Sequence, residues 1–562
     1  MKKKTVRNGV AISLSLSLLV PMLAACSKGD NANDPNNRHT LRIGTVYGNA
    51  NDDQYYRQQY TDLFEFDHGN IDIEIVPAID WNQMQFEDSS DRTKQPDPLE
   101  KVKAIMTGDN PVDVMIFDTN LLGALVNENM LKQLDPLMKE DKIDASAYVP
   151  NVIEGIKEQG NGFLYALTPT FSPSVLYYNK KLFTEAGVEP PTDDMSWEDV
   201  FTLARRMKKG EGKDAIFGFS LNQWGSGDNF WDLQNFLAPL KLRVYDERAE
   251  TMTVNTPQWE TGWKMITDLF KDKVMPRQED IQKMYEEQQP DANGGYRYNP
   301  YQGQMFLNGK VAMTVGGYDL ISQIEQMNAN ADKLKMKKLE WDVVTMPYFS
   351  SQPGVGGVMS FYQLAGINAQ AHNPDDAWEF IKFMNGEKSA KFKSRSTYEL
   401  SSLKAYVKVK DGMDPFNIEA FTKMKPASQA LSLKDQELAR EKPNLDLTRE
   451  LGNQAYQKVL QGTKTVKEAL EEWQTRGNDL LQKIKTNPSG PIDGIYENVY
   501  GDGGSIPIDK FRVMEAAGEV VASEDEAVSS DAAEEAPADD SASSSASGTA
   551  ASPSASAKAA TE

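Results

Sequence analysis

Short apolar runs rich in β-branched residues alternate with longer segments of helical period along most of the chain. Three of these runs, at residues 41–46, 72–76 and 112–117, are predicted strands. Five of the six residues in the run 112–117 are apolar, so we expect both faces of that strand to be covered. The alternation as a whole predicts βα units and a mainly parallel sheet.

The sequence predicts two helices together with their first residues and their apolar faces. The first is predicted to begin after Ser196, which can form a capping box with Asp199, and to stop before Gly210. Its apolar positions recur at i, i+3, i+4 and i+7: Val200, Leu203, Ala204 and Met207. The second begins after Asn373, with Pro374 in its first turn. Its apolar face consists of Ala377, Phe380, Ile381 and Met384. Both helices are predicted to pack on a core.

The chain has 562 residues, which is too many for one compact core and predicts two or more globular units. Its formal net charge is −23, and residues 515–562 hold eleven acidic residues and one Lys. Residues 520–562 contain no aromatic residue and are rich in Ala and Ser, so we expect a disordered acidic tail. An acidic chain repels phosphate backbones, and nucleic acid is not an expected partner.

The N-terminus has the pattern of an export signal. A basic start precedes the apolar residues 10–25, which are fewer than the roughly 20 residues that span a bilayer. The next residue, Cys26, is the only cysteine of the chain and closes Leu23-Ala24-Ala25-Cys26, which resembles a lipobox. We therefore predict a lipoprotein signal peptide at 1–25, a lipid on Cys26 that anchors the chain to the extracytoplasmic side of the cell membrane, and a flexible tether at 26–40. The alternative is an ordinary signal peptide with an incidental cysteine.

The sequence gives little support for enzyme chemistry. The three histidines have no zinc-ligand spacing, so no zinc site is predicted. No phosphate-binding loop or G-x-S-x-G motif occurs, which counts against nucleotide hydrolysis and serine hydrolase chemistry. A glycosidase needs only two carboxylates, and Asp118 and Asp232 are the candidates for such a pair. We favour the alternative in which both accept hydrogen bonds from ligand hydroxyl groups.

Aromatic and amide side chains cluster in two places. Trp224, Trp231 and Asp232 lie in the segment 224–236, and Trp81 with Asn82 follows a strand-like run. Flat rings beside amides and carboxylates suit a polyhydroxylated ligand, because rings stack on sugar C–H surfaces. Half or more of these rings are expected to be core residues instead.

The stretch 162–200, GFLYALTPTFSPSVLYYNKKLFTEAGVEPPTDDMSWEDV, resembles bacterial extracellular solute-binding proteins of family 1, the carbohydrate-uptake group, which are similar in architecture to maltose-binding protein. Further matching stretches lie at 108–136, 306–320 and 365–384, and the resemblance runs from residue 41 to about residue 485. It implies an α/β, two-lobe periplasmic-binding-protein-like fold of type II at 41–519, with a ligand cleft at the lobe interface. The discontinuous segments are expected to cross near 155–165 and 310–390.

The resemblance also implies a function. It predicts a monomeric binding protein without a cofactor that captures a sugar, with an oligosaccharide preferred, and delivers it to the permease of an ABC importer. The loops after the strands are expected to supply the ligand-binding residues Tyr47, Asn49, Trp81, Asn82, Asp118, Thr170, Ser172, Trp224, Asp232 and Tyr318. Tyr318 follows Gly316 and Gly317 at a point where the family often has Trp, which predicts a ring that stacks on the ligand.

Three alternatives remain open. The ligand could be a peptide or polyol, and the absence of an Arg cluster favours a neutral solute over an anionic one. A surface carbohydrate-active enzyme would turn over its ligand. An adhesin or scaffold would not close on small solutes.

Overall fold

The computed structural model describes residues 38–49, 54–84, 86, 96–223, 227–286, 299–361, 363–427, 433–492 and 495. The chain divides into two compact units, Met1–Gly504 and Ser505–Glu562, and every described residue belongs to the first. The predicted signal peptide, Cys26, Trp224 and the acidic tail 520–562 lie outside the described residues.

Strands in the described residues form two sheets. They are β1 (His39–Gly48), β2 (Ile71–Asp80), β3 (Val114–Phe117), β4 (Thr170–Asn179), β5 (Phe217–Ser220), β6 (Val311–Gly317), β7 (Trp341–Val344), β8 (Val355–Ser360), β9 (Leu364–Ile367), β10 (Leu400–Ser401) and β11 (Lys425–Ala427).

Helices cover both sheets. They are α1 (Gln54–Tyr56), α2 (Asp62–Asp67), α3 (Trp81–Met84), α4 (Pro98–Thr107), α5 (Thr119–Asn127), α6 (Asp135–Glu140), α7 (Pro150–Gln159), α8 (Lys180–Ala186), α9 (Trp197–Met207), α10 (Phe230–Leu237), α11 (Pro257–Lys271), α12 (Gln278–Glu286), α13 (Asp319–Ala329), α14 (Ala331–Leu334), α15 (Pro374–Met384), α16 (Glu387–Lys393), α17 (Ala420–Lys423), α18 (Leu433–Glu441), α19 (Leu447–Leu460) and α20 (Val466–Thr486). A π-helical turn, Arg57–Thr61, joins α1 to α2. Among the described helices, none is both long and apolar enough to cross a membrane.

The first sheet has the strand order β2-β1-β3-β9. Strands β1, β2 and β3 are parallel, and β9 runs antiparallel to β3. The three strands predicted from the sequence are confirmed, and all four residues of β3 are buried as its continuous apolar run predicted. This sheet, with the helices packed on it, forms the first lobe.

The second sheet has the order β11-β8-β4-β6-β5, with β7 and β10 also paired to β4. Here the prediction of a mainly parallel sheet is wrong, because β4 is antiparallel to β6, β7, β8 and β10. Ser174 lies opposite Gly317 and Tyr178 opposite Met313, a pairing between segments far apart in the chain that local apolar runs do not specify. The second sheet and its helices form the second lobe.

Alternation along β4 shows how the second sheet is buried. Val175 and Tyr177 belong to one hydrophobic cluster, and Leu176 belongs to the other. Since successive side chains of a strand point to opposite faces, both faces of this sheet are covered. The central residues of β4 are therefore buried from both sides within the second lobe.

The two helices predicted in detail are confirmed. Ser196 caps α9 in a capping box with Asp199, and the apolar face of α15 is buried. Gly187 ends α8 with φ 64°, a left-handed conformation that favours glycine.

Two of the places where the chain passes between the lobes lie side by side. Strand β8 of the second sheet is followed after residues 361–363 by β9 of the first sheet. Just before β4 begins, Leu167 pairs with Ala365 of β9. Both passages lie beside the end of β3, because Phe117 pairs with Leu364.

Candidate functional site

Three of the predicted ligand-binding residues lie at the carboxyl ends of three neighbouring strands. Tyr47 is the second-last residue of β1, Trp81 directly follows β2, and Asp118 directly follows β3. Because β1 lies between β2 and β3 and all three are parallel, their carboxyl ends share one edge of the sheet. In open α/β sheets, ligands bind outside such an edge. We call this edge, with Tyr47, Trp81 and Asp118, the platform edge.

The rings of Tyr47 and Trp81 stack on each other. Their centroids are 4.9 Å apart and their planes are inclined by 16°. The pair is not core, since Tyr47 remains 39% exposed and Trp81 50% exposed. Partial burial, and then the nearby charge of Asp118, raise the pKa of Tyr47 above its ordinary value of 10.0, so its hydroxyl stays protonated and can donate a hydrogen bond.

Asp118 is held in place by local hydrogen bonds. Its carboxylate accepts from the backbone N–H of Asn120 at 2.9 Å and caps the start of α5. The next side chain, Thr119, exchanges two hydrogen bonds of 3.2 Å with the backbone of Phe361. Since Phe361 begins the passage from β8 to β9, the platform edge is fixed to the connection between the lobes.

The two asparagines predicted beside the platform edge follow β1 and β2, since Asn49 comes directly after β1 and Asn82 is the second residue of α3. The backbone N–H of Asn82 donates to the carboxylate of Asp80 at 2.9 Å. The Oδ1 atom of Asn49 is buried and has no hydrogen-bond partner among the described residues. A buried acceptor of this kind can receive a hydrogen bond from a ligand hydroxyl group.

Thr170 and Ser172 lie at the start of β4. Thr170 is buried, and its hydroxyl donates to Glu399 at 2.6 Å. Ser172 is partly buried and pairs with Ser360 of β8. Both residues therefore belong to the passage between the lobes, and the hydroxyl of Thr170 already has a protein partner.

Asp232 lies in the first turn of α10, on the second lobe. Its carboxylate accepts from the side-chain amides of Asn222 at 2.5 Å and Asn229 at 2.7 Å. Burial raises its pKa above the ordinary value of 3.8, although these two amides act in the opposite direction. Asp118 follows a strand of the first sheet, so the two carboxylates considered for a glycosidase belong to different lobes.

Tyr318 follows β6 as predicted, but its ring is only 3% exposed. It packs edge-on against Phe421, with ring centroids 5.6 Å apart, and the Nζ atom of Lys410 lies 5.7 Å from its centroid. Burial raises its pKa. In this structure Tyr318 therefore packs as a core ring rather than presenting a face to solvent.

A second group of residues at the lobe passages was missed by the sequence analysis. Gln363 immediately precedes β9, and its side-chain amide donates to the hydroxyl of Tyr60. The ring of Tyr60 lies under Lys393, whose Nζ atom is 4.7 Å from the ring centroid. Tyr60 lies on the π-helical turn, and such turns occur frequently at functional sites. This turn is visible in the structure but not in the sequence pattern.

Metal ligation is not supported by the described part of the chain. No group of three or more His, Cys, Asp or Glu side chains is arranged there to hold a metal ion. The site residues are rings, amides, carboxylates and lysines, which suits binding of an organic solute by contact.

The family model for bacterial extracellular solute-binding proteins matches residues 47–391. The sn-glycerol-3-phosphate-binding periplasmic protein UgpB of Escherichia coli K12 is 21% identical over 440 residues, covering 75% of this chain and 88% of the relative. The protein of the same name from Brucella melitensis is 22% identical over 432 residues, covering 74% and 87%. These relatives are binding proteins by name, not enzymes.

Solved structures share the fold. A sugar transporter from Rhizobium etli in an open conformation has a TM-score of 0.53 at 20% identity, covering 78% of this chain and 99% of its own. The sugar-binding protein MalE from Xanthomonas citri has a TM-score of 0.51 at 14% identity, covering 80% and 99%. The two-lobe α/β fold predicted from the sequence is confirmed.

Proposed function

Since the chain belongs to the bacterial extracellular solute-binding protein family, we propose that it captures a carbohydrate outside the cytoplasm and delivers it to the permease of an ABC importer. The stacked and half-exposed Tyr47–Trp81 pair carries this proposal. Sugar rings present flat C–H surfaces that pack against aromatic faces. Asp118 lies beside the pair and can accept hydrogen bonds from hydroxyl groups.

The breadth of the platform favours an oligosaccharide over a single sugar. The ends of two strands carry the two stacked rings, the buried Oδ1 of Asn49 and the short helix α3 with Asn82. Relatives with the same fold are named for binding sugars, and others are named for binding sn-glycerol 3-phosphate. A polyol or peptide ligand is the alternative that the binding experiment must separate from a sugar.

A lipid on Cys26 would hold the protein at the membrane. The motif Leu23-Ala24-Ala25-Cys26 supports this part of the proposal, because a thiol is the group that accepts a diacylglyceryl lipid. The variant Cys26→Ser is expected to move the protein from the membrane fraction to the soluble fraction. Retention of Cys26→Ser at the membrane, or a protein without a lipid by mass spectrometry, would contradict the anchor.

The test of function is a thermal-shift screen of the chain that begins after Cys26, against mono- and oligosaccharides, polyols and short peptides. A ligand at 100 times its Kd stabilises a fold by about 2.7 kcal/mol, which is a clear rise in Tm. We expect a rise with one oligosaccharide family and recovery of the intact sugar after long incubation. A rise only with peptides or polyols would contradict the carbohydrate assignment, and cleavage of the sugar would indicate an enzyme.

Variants connect binding to the platform edge. Trp81→Ala should weaken sugar binding at least tenfold, while the apo Tm changes little because half of the ring is exposed. Phe66→Ala is the matched control, since Phe66 lies on α2 of the same lobe and is 85% exposed. Equal affinities of Trp81→Ala and Phe66→Ala would exclude the platform as the binding surface.

A further inference from the structure

Cations are concentrated in one segment of this acidic protein. Residues 388–410 contain seven Lys or Arg side chains and a single acidic residue, Glu399, in a chain whose net charge is −23. The seven cations are Lys388, Lys391, Lys393, Arg395, Lys404, Lys408 and Lys410. Five of them are exposed, but Lys393 and Lys410 are partly buried. These two lysines differ from the other five in their surroundings.

Lys393 has no ion pair within 4.0 Å in the described part of the chain, and its Nζ atom faces the ring of Tyr60 at 4.7 Å. Burial lowers its pKa, although the more distant charge of Glu399 acts in the opposite direction. A partly buried ammonium group without a paired carboxylate is unfavourable unless another anion approaches it.

Lys410 is similar. Its Nζ atom donates to the backbone carbonyls of Arg395, at 3.2 Å, and Ser396, and it lies 5.7 Å from the centroid of Tyr318. Among the described residues no carboxylate lies within ion-pair distance of it, and burial lowers its pKa. Its contacts thus fix its position without neutralising its charge.

Contacts link both lysines to residues near the lobe passages. Tyr60, under Lys393, accepts a hydrogen bond from Gln363, which immediately precedes the β9 residue that pairs with Phe117. Asp118 directly follows Phe117, so a chain of contacts through Tyr60, Gln363 and the backbone pairing of β9 with β3 links Lys393 to the platform edge. Lys410 contacts Tyr318 in the loop after β6 of the second lobe.

One further hydrogen-bond donor in this region lacks a partner. The hydroxyl of Tyr56 is buried and makes no hydrogen bond to described residues. The rings of Tyr56 and Tyr60 contact each other, with centroids 4.7 Å apart, so this hydroxyl belongs to the same wall as Lys393. A phenol hydroxyl can donate to an anion.

We propose that the carbohydrate bound at the platform edge carries an anionic group, a phosphate or a carboxylate, and that Lys393 and Lys410 bind this group. The inference rests on the proposed function and narrows its ligand class to acidic or phosphorylated sugars. The absence of an Arg cluster favoured a neutral ligand in the sequence analysis. A lysine can also supply the positive charge that an anionic ligand needs, because its ammonium group acts as a point charge. The five exposed cations are not part of this subsite, and one of them, Lys388, pairs with Asp67.

The experiment measures Kd by calorimetry for matched pairs of ligands: glucose, glucose 6-phosphate and glucuronate, and glycerol with sn-glycerol 3-phosphate. Inorganic phosphate alone and a neutral oligosaccharide complete the set. We expect at least one anionic ligand to bind at least tenfold more tightly than its neutral counterpart, with an affinity that falls as NaCl is raised. The phosphate and carboxylate arms identify which anion is bound.

Variants assign the effect to the residues. Lys393→Gln and Lys410→Gln should each reduce the preference for the anion at least fivefold. Lys393→Gln should leave the apo Tm no lower than that of the parent, whereas Lys410→Gln also loses two hydrogen bonds to backbone carbonyls. Lys391→Gln, an exposed position on the same helix as Lys393, is the matched control and should bind like the parent.

The outcomes separate the two proposals. Neutral sugars that bind as tightly as their anionic counterparts would overturn the anionic subsite and leave carbohydrate binding intact. An anion preference that survives in Lys393→Gln and Lys410→Gln would also overturn it. Absence of binding by every sugar, sugar acid and sugar phosphate would overturn both proposals.

Discussion

Replacing Tyr318 with alanine tests whether this ring is core or ligand platform. The ring is 3% exposed and packs edge-on against Phe421. Truncation of a buried aromatic side chain to alanine loses the burial of the ring and leaves a cavity, which lowers the free energy of unfolding by about 3–5 kcal/mol. We expect Tyr318→Ala to lose about 3–4 kcal/mol of the free energy of unfolding. Tyr318→Phe keeps the ring and should lose much less.

The assay is urea unfolding of the ligand-free chain that begins after Cys26. A fall in the midpoint concentration at constant m would report lost stability rather than a changed denatured state. Tyr398→Ala is the control, because Tyr398 is 69% exposed and its loss should change stability by less than about 0.5 kcal/mol.

A loss below about 1 kcal/mol in Tyr318→Ala, together with weakened sugar binding, would refute the reasoning from burial. It would mean that the ring faces the ligand in solution, as the sequence pattern alone predicted. Similar unfolding curves for Tyr318→Ala and Tyr398→Ala would have the same meaning.

Three further predictions concern stability. Gly218→Ala should prevent stable folding, because a Cβ there would lie 2.0 Å from the backbone oxygen of Ala204; circular dichroism measures the loss of structure. Gly69→Ala is the control and should be neutral, because its Cβ would meet nothing within 4 Å. Burial disfavours the ionised form of Glu472, but hydrogen bonds from two lysines outweigh burial and lower its pKa from 4.5 to about 2. The ionised carboxylate therefore stabilises the fold above pH 4.5, and this stabilisation is lost as the pH falls toward 2. Glu472→Gln should make the stability less dependent on pH in acid-unfolding curves. Ser196→Ala removes an N-cap and should lower the free energy of unfolding by about 1 kcal/mol in urea titrations, and an unchanged midpoint would contradict the role of the cap.

Elements whose signals are local were predictable from the sequence. The capping box at Ser196 and Asp199 and the apolar run of β3 are fixed by residues close together in the chain, and the structure confirms both. The antiparallel course of β4 was not predictable in this way. It depends on β4 pairing with β6, which lies far along the chain, and no local pattern encodes that partner.

The candidate site was predictable only in part. Strand ends indicated Tyr47, Trp81 and Asp118, and parallel pairing of the strands brings them to one edge. Burial of Tyr318 depends on Phe421, which comes from a distant helix, so a local glycine-aromatic pattern could not reveal it. The excess of lysine in residues 388–410 was visible in the sequence, but its contact with Tyr60 required the fold.

The platform edge has a kinetic consequence. Tyr47, Trp81 and Asp118 all lie at the ends of strands of a single sheet, so their mutual spacing is set inside the first lobe. A ligand can therefore make its first encounter with the first lobe alone, before contacts with the second lobe form. For the ligand proposed to bind at this edge, contacts from the second lobe then act mainly on the residence time of the bound ligand.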